Sequence, residues 1–159
     1  MSSGPKIVFL DCDGVISPFS GPMFSKVHMQ RLKKIVDTAQ AKIVLSSSWR
    51  TSEFGRKEVK KQLIANGISS FIDCTPSISN RPRVVEILTW LENHENLNVK
   101  NFLALDDINL TALAPNKTFF AKHSITTNGL TGLTDQDVAK AIEILSDRNN
   151  INKKSINNT

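Results

Sequence analysis

Acidic and hydroxyl side chains follow three apolar runs of the chain, at the point where each run ends. They are Asp11 and Asp13 after residues 7–10, Ser46, Ser47 and Ser48 after residues 43–45, and Asp106 and Asp107 after residues 102–105. Four carboxylates in one place cannot all stay ionised without a cation, because like charges raise one another's pKa. Ligands that are all oxygen favour a hard ion, and Mg²⁺ is the usual ion where phosphate is the substrate. These residues therefore predict metal-assisted phosphate chemistry.

The apolar runs predict the strands that would bring these side chains together. They are continuous rather than alternating, which is typical of buried parallel strands. The predicted strands are 7–10, 43–45, a shorter 70–72, 102–105 and 118–121. Helical patterns alternate with them, so we expect a Rossmann-like three-layer α/β sandwich with a central parallel sheet. In such sheets ligands bind beyond the carboxyl ends of the strands, where the acids and serines lie.

Helical periodicity marks the segments between the runs. The apolar stripes consist of Met29, Leu32, Ile35 and Val36, then Val59, Leu63 and Ile64, then Val84, Ile87, Leu88 and Leu91. Thr134 and Asp137 have the spacing of a capping box before a last stripe that ends at Leu145. A turn is expected between Gly129 and Gly132. These patterns predict that helices cover both faces of the sheet.

Length and composition set the class of protein. A chain of 159 residues predicts one domain, which we place at residues 1–146, followed by a polar tail or linker at 147–159 that is disordered. No apolar run approaches the roughly 20 residues of a membrane span, and the first run is too short for a signal peptide. The two cysteines lie far apart in sequence, so we expect a reducing compartment and a cytoplasmic location.

The net charge of +5 favours an anionic partner without identifying it. Arg56, Lys57, Lys60 and Lys61 have spacings that place them on one side of a helix. This basic face, Arg56–Lys61, is expected either to contact a polyanion or an acidic membrane surface, or simply to keep the helix solvated. The chain contains no GxxxxGK[ST], GxGxxG or HExxH pattern, so nucleotide-loop, dinucleotide and zinc-protease functions gain no support.

Three of these motifs resemble those of the haloacid dehalogenase (HAD) superfamily, in its phosphatase branch. The family's DxDG after an apolar strand matches residues 8–15, its strand ending in Ser or Thr matches residues 43–46, and its strand ending in an acidic pair matches residues 103–107. A basic residue, usually Lys, forms the remaining motif near the start of the helix before the last strand. This chain has Arg83 there, with Arg81 close by. The resemblance covers roughly residues 6–146.

The resemblance implies a role for each matched residue. Asp11 would attack phosphorus and form an aspartyl-phosphate, and Asp13 would act as the general acid and base. Asp11, Asp13 (through its carbonyl) and Asp106 or Asp107 would hold Mg²⁺. Ser46 or Ser47, together with Arg83 or Arg81, would bind the phosphoryl oxygens. Both of those pairs remain alternatives at this point.

Other side chains near the motifs have two interpretations each. Arg50 is expected either to bind a substrate phosphate or to lie on the surface at the start of a helix. Trp49 is expected to pack against the sheet, with stacking on a substrate ring as the alternative. Cys12 is interpreted as a buried small residue, and His28 and His123 as structural or exposed.

Spacing between the motifs indicates the kind of substrate. Only 32 residues separate Asp13 from Ser46, and 32 separate Ser48 from Arg81, so no substantial cap domain fits between them. An open site with an apolar flap at residues 18–24 suits a phosphate on a macromolecule. We expect a phosphoprotein, with phosphotyrosine as one candidate group, and place a nucleic-acid end second, because no aromatic ladder or dense basic stripe is evident.

Three further alternatives stay open at the level of sequence. The resemblance extends weakly to domains of nucleic-acid repair proteins, which carry Ser-Trp-Arg after the second strand, as residues 48–50 do here. A non-catalytic module that binds phosphorylated ligands and a phosphotransferase would use the same pocket. A monomer is the expected oligomeric state.

Overall fold

The structure is a computed structural model that describes residues 4–151. Five parallel strands form the centre of this described region. The strands are β1 (Lys6–Leu10), β2 (Ala41–Leu45), β3 (Asp73–Cys74), β4 (Asn101–Asp106) and β5 (Ser124–Thr126). Their order in the sheet is β3-β2-β1-β4-β5. Val8 at the middle of β1 pairs with Ile43 of β2 on one side and with Leu103 of β4 on the other. The expected parallel sheet is therefore confirmed, with β1 at its centre.

Five helices lie between and after the strands. They are α1 (Lys26–Ala39), α2 (Glu53–Ala65), α3 (Arg83–Asn93), α4 (Lys117–Ala121) and α5 (Asp135–Ile144). Short 3-10 helices occur at Ser48–Thr51, Glu95–Leu97, Leu110–Leu113 and Asp147–Asn149. The capping box at α5 is confirmed, because the Thr134 hydroxyl accepts a hydrogen bond from the Asp137 N–H at 3.1 Å and the Asp137 carboxylate accepts one from the Thr134 N–H at 3.0 Å.

Two apolar cores lie on opposite faces of the sheet. Successive residues of a strand point to opposite faces, and β1 shows the pattern clearly. Ile7 and Phe9 pack with α3 and α4, whereas Val8 and Leu10 pack with α1, α2 and α5. This division gives the predicted three-layer α/β sandwich. Among the described residues, no second domain covers the edge of the sheet where the strands end, in agreement with the expected absence of a cap.

Two predicted strands are wrong in position. Residues 118–121 form helix α4 rather than a strand, and β5 follows at Ser124–Thr126. The reason is a helix cap, since the Asn116 side chain accepts a hydrogen bond from the Phe119 N–H at 3.0 Å and Phe120 is buried against Phe102. Strand β3 occupies Asp73–Cys74 rather than residues 70–72. Because β3 is a strand of two residues at the edge of the sheet, its residues are not buried on both faces. No continuous apolar run therefore marks it in the sequence.

Most residues of the predicted apolar stripes are buried, but Leu88 is only half-buried. Ile64 is more than half exposed, while Val59 and Leu63 on the same helix are fully buried. None of the helices among residues 4–151 combines the length and apolar character needed to cross a bilayer.

The first residues of the expected tail belong to the folded region. Asp147–Asn149 form a 3-10 helix, and Asp147 makes ion pairs with Lys6 and Lys100. Ile151 donates a backbone hydrogen bond to Lys100 and packs against the core. Asp147 and Ile151 thus connect this segment to Lys6 at the start of β1 and to Lys100 just before β4. Residues 152–159 of that segment lie outside the described residues.

Candidate active site

The acidic motifs meet where the strand order of the sheet reverses. The chain passes from β1 outward to β2 and β3 and then crosses back to β4, so β1 and β4 are neighbours at a topological switch point. The Asp11 N–H donates to the Leu105 carbonyl at 3.0 Å, which places the residue after β1 beside the end of β4. Open α/β sheets bind ligands in the crevice beyond such a point.

Three carboxylates converge in this crevice. Oxygen atoms of Asp11, Asp106 and Asp107 all lie within 4.8 Å of one another. Asp11 and Asp106 are buried, and Asp107 is half-buried. Burial and the Asp106 carboxylate raise the pKa of Asp11 to about 8, although the Arg83 guanidinium opposes the shift. Burial likewise raises the pKa of Asp106. A cation among these oxygens would favour the ionised form of both carboxyl groups and so oppose the shifts.

Arg83 is the basic residue that the fold brings to the carboxylates. Its Nη1 lies 2.8 Å from Asp106 Oδ2 and 3.3 Å from Asp11 Oδ2. It is the first residue of α3, directly after Pro82. Arg81 is exposed, and the hydrogen bond described for it joins its backbone N–H to the Ile78 carbonyl. Of the two arginines that the sequence proposed, the geometry favours Arg83 as the phosphate ligand.

The two candidate serines have different surroundings. Ser46 is buried directly after β2, and among the described residues its hydroxyl is a buried polar atom without a hydrogen-bond partner. The Ser47 hydroxyl accepts the Trp49 N–H at 3.2 Å. A buried hydroxyl without a partner is costly and needs an explanation. A phosphoryl oxygen in the crevice would supply one, so the geometry favours Ser46 over Ser47.

Asp13 lies beside the carboxylate cluster but does not join it. It is half-buried, and its Oδ2 accepts a hydrogen bond from the Trp49 indole N–H at 3.2 Å. The next residue, Gly14, has a φ of 82°, and a Cβ on it would lie 2.7 Å from the Asp107 carboxylate. Glycine is therefore required where the loop after β1 passes the acid pair after β4. The Asp13 carboxylate therefore lies outside the cluster of three carboxylates that could hold a metal ion.

Arg50 is buried, so the expected position on the surface is wrong, and its guanidinium is engaged by the protein itself. Its guanidinium donates to the carbonyls of Ser47 at 2.8 Å, Thr75 at 2.9 Å and Pro76 at 3.3 Å. It also forms an ion pair with Glu86 at 2.9 Å. Arg50 thus ties the loop after β2 to the segment that leads into α3.

Two residues that the sequence did not single out complete the frame of the site. Glu86 balances Arg50 and accepts the Ile78 N–H at 2.8 Å. Thr127 follows β5, and its hydroxyl donates to the Gly14 carbonyl at 2.7 Å. A signal for Thr127 existed, since it is a hydroxyl residue directly after a strand, but the strand was predicted too early in the chain. Glu86 carries no local signal, because its partner lies 36 positions away.

The flap after Asp13 lies against the loop after β5. The Phe19 N–H donates to the Gly129 carbonyl at 2.9 Å, and the Ser20 hydroxyl donates to the Leu130 carbonyl. The Phe19 ring is 60% exposed and leaves no room for a Cβ on Gly129, a position that also lies beside the Asp107 carboxylate. An exposed aromatic ring therefore borders the acidic crevice.

Cys12, His28 and His123 have the structural surroundings that were expected. Burial, with the neighbouring Asp11 charge, raises the pKa of the Cys12 thiol, which opposes a nucleophilic role. The His28 ring contacts the Ser25 hydroxyl and the Thr131 carbonyl. Burial lowers the pKa of His123 to about 4, and its ring stacks on Phe102.

The basic face on α2 is partly engaged by the protein itself. The Arg56 guanidinium donates to the Arg50 carbonyl at 2.7 Å, and Lys57 pairs with Glu53 at 3.0 Å. Lys60 and Lys61 are exposed. Arg56 thus joins the start of α2 to the loop after β2, while Lys60 and Lys61 extend into solvent.

A parallel sheet with Asp11 after its first strand, an acidic pair after β4 and a basic residue opening the intervening helix is the arrangement of a HAD-superfamily domain. Residues 7–138 match the family described as the HAD domain in Swiss Army Knife RNA repair proteins, and the chain belongs to this family. No curated protein and no solved structure gives a significant match to the chain.

Proposed function

We propose that this chain is a Mg²⁺-dependent phosphomonoesterase that removes a terminal phosphate from a nucleic acid. The observation that carries the proposal is the cluster of Asp11, Asp106 and Asp107 beside Arg83, at the switch point of a HAD-family sheet. HAD domains are generally hydrolases, and phosphatase-type activity fits the second acid, Asp13, two residues after the first.

The carboxylates fit a hard divalent ion. Three oxygen donors within 4.8 Å, two of them on buried residues, match the ligands that Mg²⁺ uses. Asp11, Asp106 and Asp107 would hold the ion, with the Asp13 carbonyl as the further ligand that the family resemblance implies. When bound, the ion supplies positive charge that offsets the repulsion between an anionic nucleophile and an anionic phosphate.

Asp11 and Asp13 divide the reaction into two displacements. The Asp11 carboxylate attacks phosphorus, the ester P–O bond breaks, and the Asp13 carboxyl gives its proton to the departing oxygen. The Asp13 carboxylate then takes a proton from water as the water oxygen attacks phosphorus. The bond between phosphorus and Asp11 breaks, which releases inorganic phosphate and leaves Asp13 protonated again.

Ser46 and Arg83 would bind the phosphoryl group during both displacements. The Ser46 hydroxyl is buried and has no partner among the described residues, so it can donate to a phosphoryl oxygen without breaking another hydrogen bond. Arg83 reaches Asp11 and Asp106 with Nη1, which places its guanidinium at the nucleophile. Donors fixed before the reaction stabilise charge as it moves between oxygens.

A nucleic-acid end replaces the phosphoprotein as the favoured substrate. The matched family is named for RNA repair proteins, and no finding supports the phosphoprotein that the sequence placed first. The absence of a cap among the described residues leaves the crevice open to a long strand. Exposed Lys60 and Lys61 and the exposed Phe19 ring offer contacts for phosphates and for a base.

The test is a phosphate-release assay on matched substrates. RNA and DNA oligonucleotides with a 3′- or 5′-phosphate, tyrosine and serine phosphopeptides, and 4-nitrophenyl phosphate would be compared with Mg²⁺ and with EDTA. We expect Mg²⁺-dependent release, most rapid on an oligonucleotide end, with KM rising as salt is added. Asp11→Asn should lower kcat/KM by roughly 10⁴-fold or more, the scale on which nucleophile variants act.

Asp37→Asn is the matched control, because Asp37 is an exposed acid at the end of α1 whose side chain pairs with Lys33. It should retain full activity. Salt-sensitive oligonucleotide binding without turnover would instead identify a binding module, and faster release of the alcohol than of phosphate in the presence of added acceptors would identify a phosphotransferase. Preference for phosphopeptides over every oligonucleotide would overturn the assignment of the substrate class.

A further inference from the structure

Trp49 contacts the proposed acid–base residue directly. Its indole N–H donates to Asp13 Oδ2 at 3.2 Å, although the two residues are 36 positions apart in sequence. The indole N–H is a donor only and cannot accept a proton or a hydrogen bond. Trp49 therefore discriminates between the two oxygens of the Asp13 carboxyl group.

Contacts on the strand side hold the backbone of Trp49, and a contact on the flap side holds its indole ring. The Trp49 backbone N–H donates to the Ser47 hydroxyl, and a Cβ on Gly55 would collide with the Trp49 carbonyl. The Phe24 ring meets the indole edge-on, with centroids 5.4 Å apart and planes at 67°. Phe24 is buried at the end of the flap, and its N–H donates to the Ser17 hydroxyl at 2.8 Å. The direction of the indole N–H is thus fixed by packing.

We infer that Trp49 is a positioning residue that aims the acid–base carboxyl of Asp13 and leaves its proton on Oδ1. Because Oδ2 faces an N–H group, the proton of the neutral carboxyl group is carried by the other oxygen. Oδ1 is then the atom that protonates the leaving oxygen and later receives a proton from water. This inference rests on the proposed function, since it assigns a helper to the acid of that reaction.

The expected consequence depends on the leaving group. An alkyl oxygen, such as a nucleoside hydroxyl, leaves poorly without a proton, whereas 4-nitrophenolate leaves without one. Loss of the indole N–H should therefore lower kcat/KM for an alkyl phosphate by about tenfold, the scale of one hydrogen bond to a charged group. It should lower kcat/KM for 4-nitrophenyl phosphate by less than about threefold. A residue that only stabilises the fold would affect both substrates alike.

The experiment measures kcat/KM of Trp49→Phe on benzyl phosphate and on 4-nitrophenyl phosphate with saturating Mg²⁺. Trp90→Phe is the matched control, because it also removes an indole N–H that donates to a carboxylate, that of Asp73 at 2.8 Å, outside the candidate site. Replacement of Trp49 by 3-benzothienylalanine, which exchanges N–H for sulfur in a ring of the same size, keeps the test decisive if Trp49→Phe fails to fold. In an Asp13→Asn background, the Trp49 substitution should add no further selectivity.

Equal losses on the two phosphates, or the same selective loss in Trp90→Phe, would overturn the inference while leaving the proposed function intact. The inference would also fail if Trp49→Phe slowed the Asp13→Asn variant as much as it slows the native chain. Failure of the unsubstituted protein to release phosphate from these two compounds and from every oligonucleotide of the panel would instead remove the proposed function, and the role of Trp49 with it. The two failures are therefore distinct.

Discussion

Glu86→Gln should destabilise the protein more than its distance from the reacting groups would imply. Arg50 and Glu86 form an ion pair of 2.9 Å, and their side chains are only 7% and 9% exposed. Removing one partner of a buried pair costs about 3–5 kcal/mol, because the remaining charge has no counter-charge. Glutamine has one carbonyl oxygen and can still accept from Arg50 or from Ile78, though not from both, so we expect about 3 kcal/mol. For a domain of this size that cost lowers Tm by about 6–12 °C.

The assay is thermal unfolding followed by circular dichroism, with urea unfolding as the isothermal measurement. Lys57→Gln is the matched control, since it breaks the exposed pair with Glu53 and should change stability by less than about 1 kcal/mol. Arg50→Met combined with Glu86→Met should recover only part of the loss. The carbonyls that Arg50 serves, such as that of Ser47, would remain without their donor. A Glu86→Gln variant as stable as the control would refute this account of the buried pair.

Three further outcomes follow from single residues. Ser46→Ala should lower kcat/KM by about 10²-fold while Tm stays level or rises, because its buried hydroxyl has no partner to lose; a phosphate-release assay paired with thermal unfolding measures both. Gly14→Ala should lower both activity and stability, by at least about 1 kcal/mol for the latter in urea unfolding, because its φ is 82° and a Cβ would strike the Asp107 carboxylate. In EDTA, stability should fall as pH rises from about 4 to about 8. The reason is that the Asp11 carboxyl keeps its proton up to a pKa of about 8 in the folded state, but loses it near its ordinary pKa in the unfolded state. Asp11→Asn should flatten that slope in urea unfolding measured across the pH range.

The placement of Asp11 and Asp106 could be predicted from sequence because it depends on a local pattern, the apolar run that precedes each residue. Each follows a continuous apolar run, and runs that are buried on both faces form neighbouring parallel strands. The carboxyl ends of such strands lie at one edge of the sheet, so residues 95 positions apart in the chain come together without knowledge of any contact. Ser46 also follows an apolar run, so its position at that edge could be predicted in the same way.

Sequence alone could not decide between Arg81 and Arg83, because the decision depends on the residue at which α3 begins. Helix starts are uncertain by one or two residues in sequence, and here the start decides which side chain faces the crevice. The α3 helix begins at Arg83 directly after Pro82. Similarly, the Phe pair at 119 and 120 is as apolar as a buried strand, and only the cap by Asn116 shows that it belongs to a helix.

The roles of Arg50 and Trp49 lay beyond sequence reasoning because their partners are distant. Arg50 is completed by Glu86 and Trp49 by Asp13, both 36 positions away in the chain. A polar residue after a strand is equally compatible with substrate binding and with internal bonding until its partners are known. The structure assigns both residues to internal contacts, one to the loop and one to the proposed acid.

The acidic site and its proposed anionic substrate both require additional positive charge. Asp11, Asp106 and Asp107 carry more negative charge than Arg83 alone can balance, and burial makes the imbalance costly. A phosphate dianion entering the same crevice would increase it. A divalent ion held by Asp11, Asp106 and Asp107 would meet both needs, since its charge would favour the ionised form of Asp11 and offset that of a second anion. The fold therefore provides an acidic crevice that is poorly suited to phosphate by itself and well suited to phosphate with a cation, which is why metal should be required for substrate binding as well as for the chemical step.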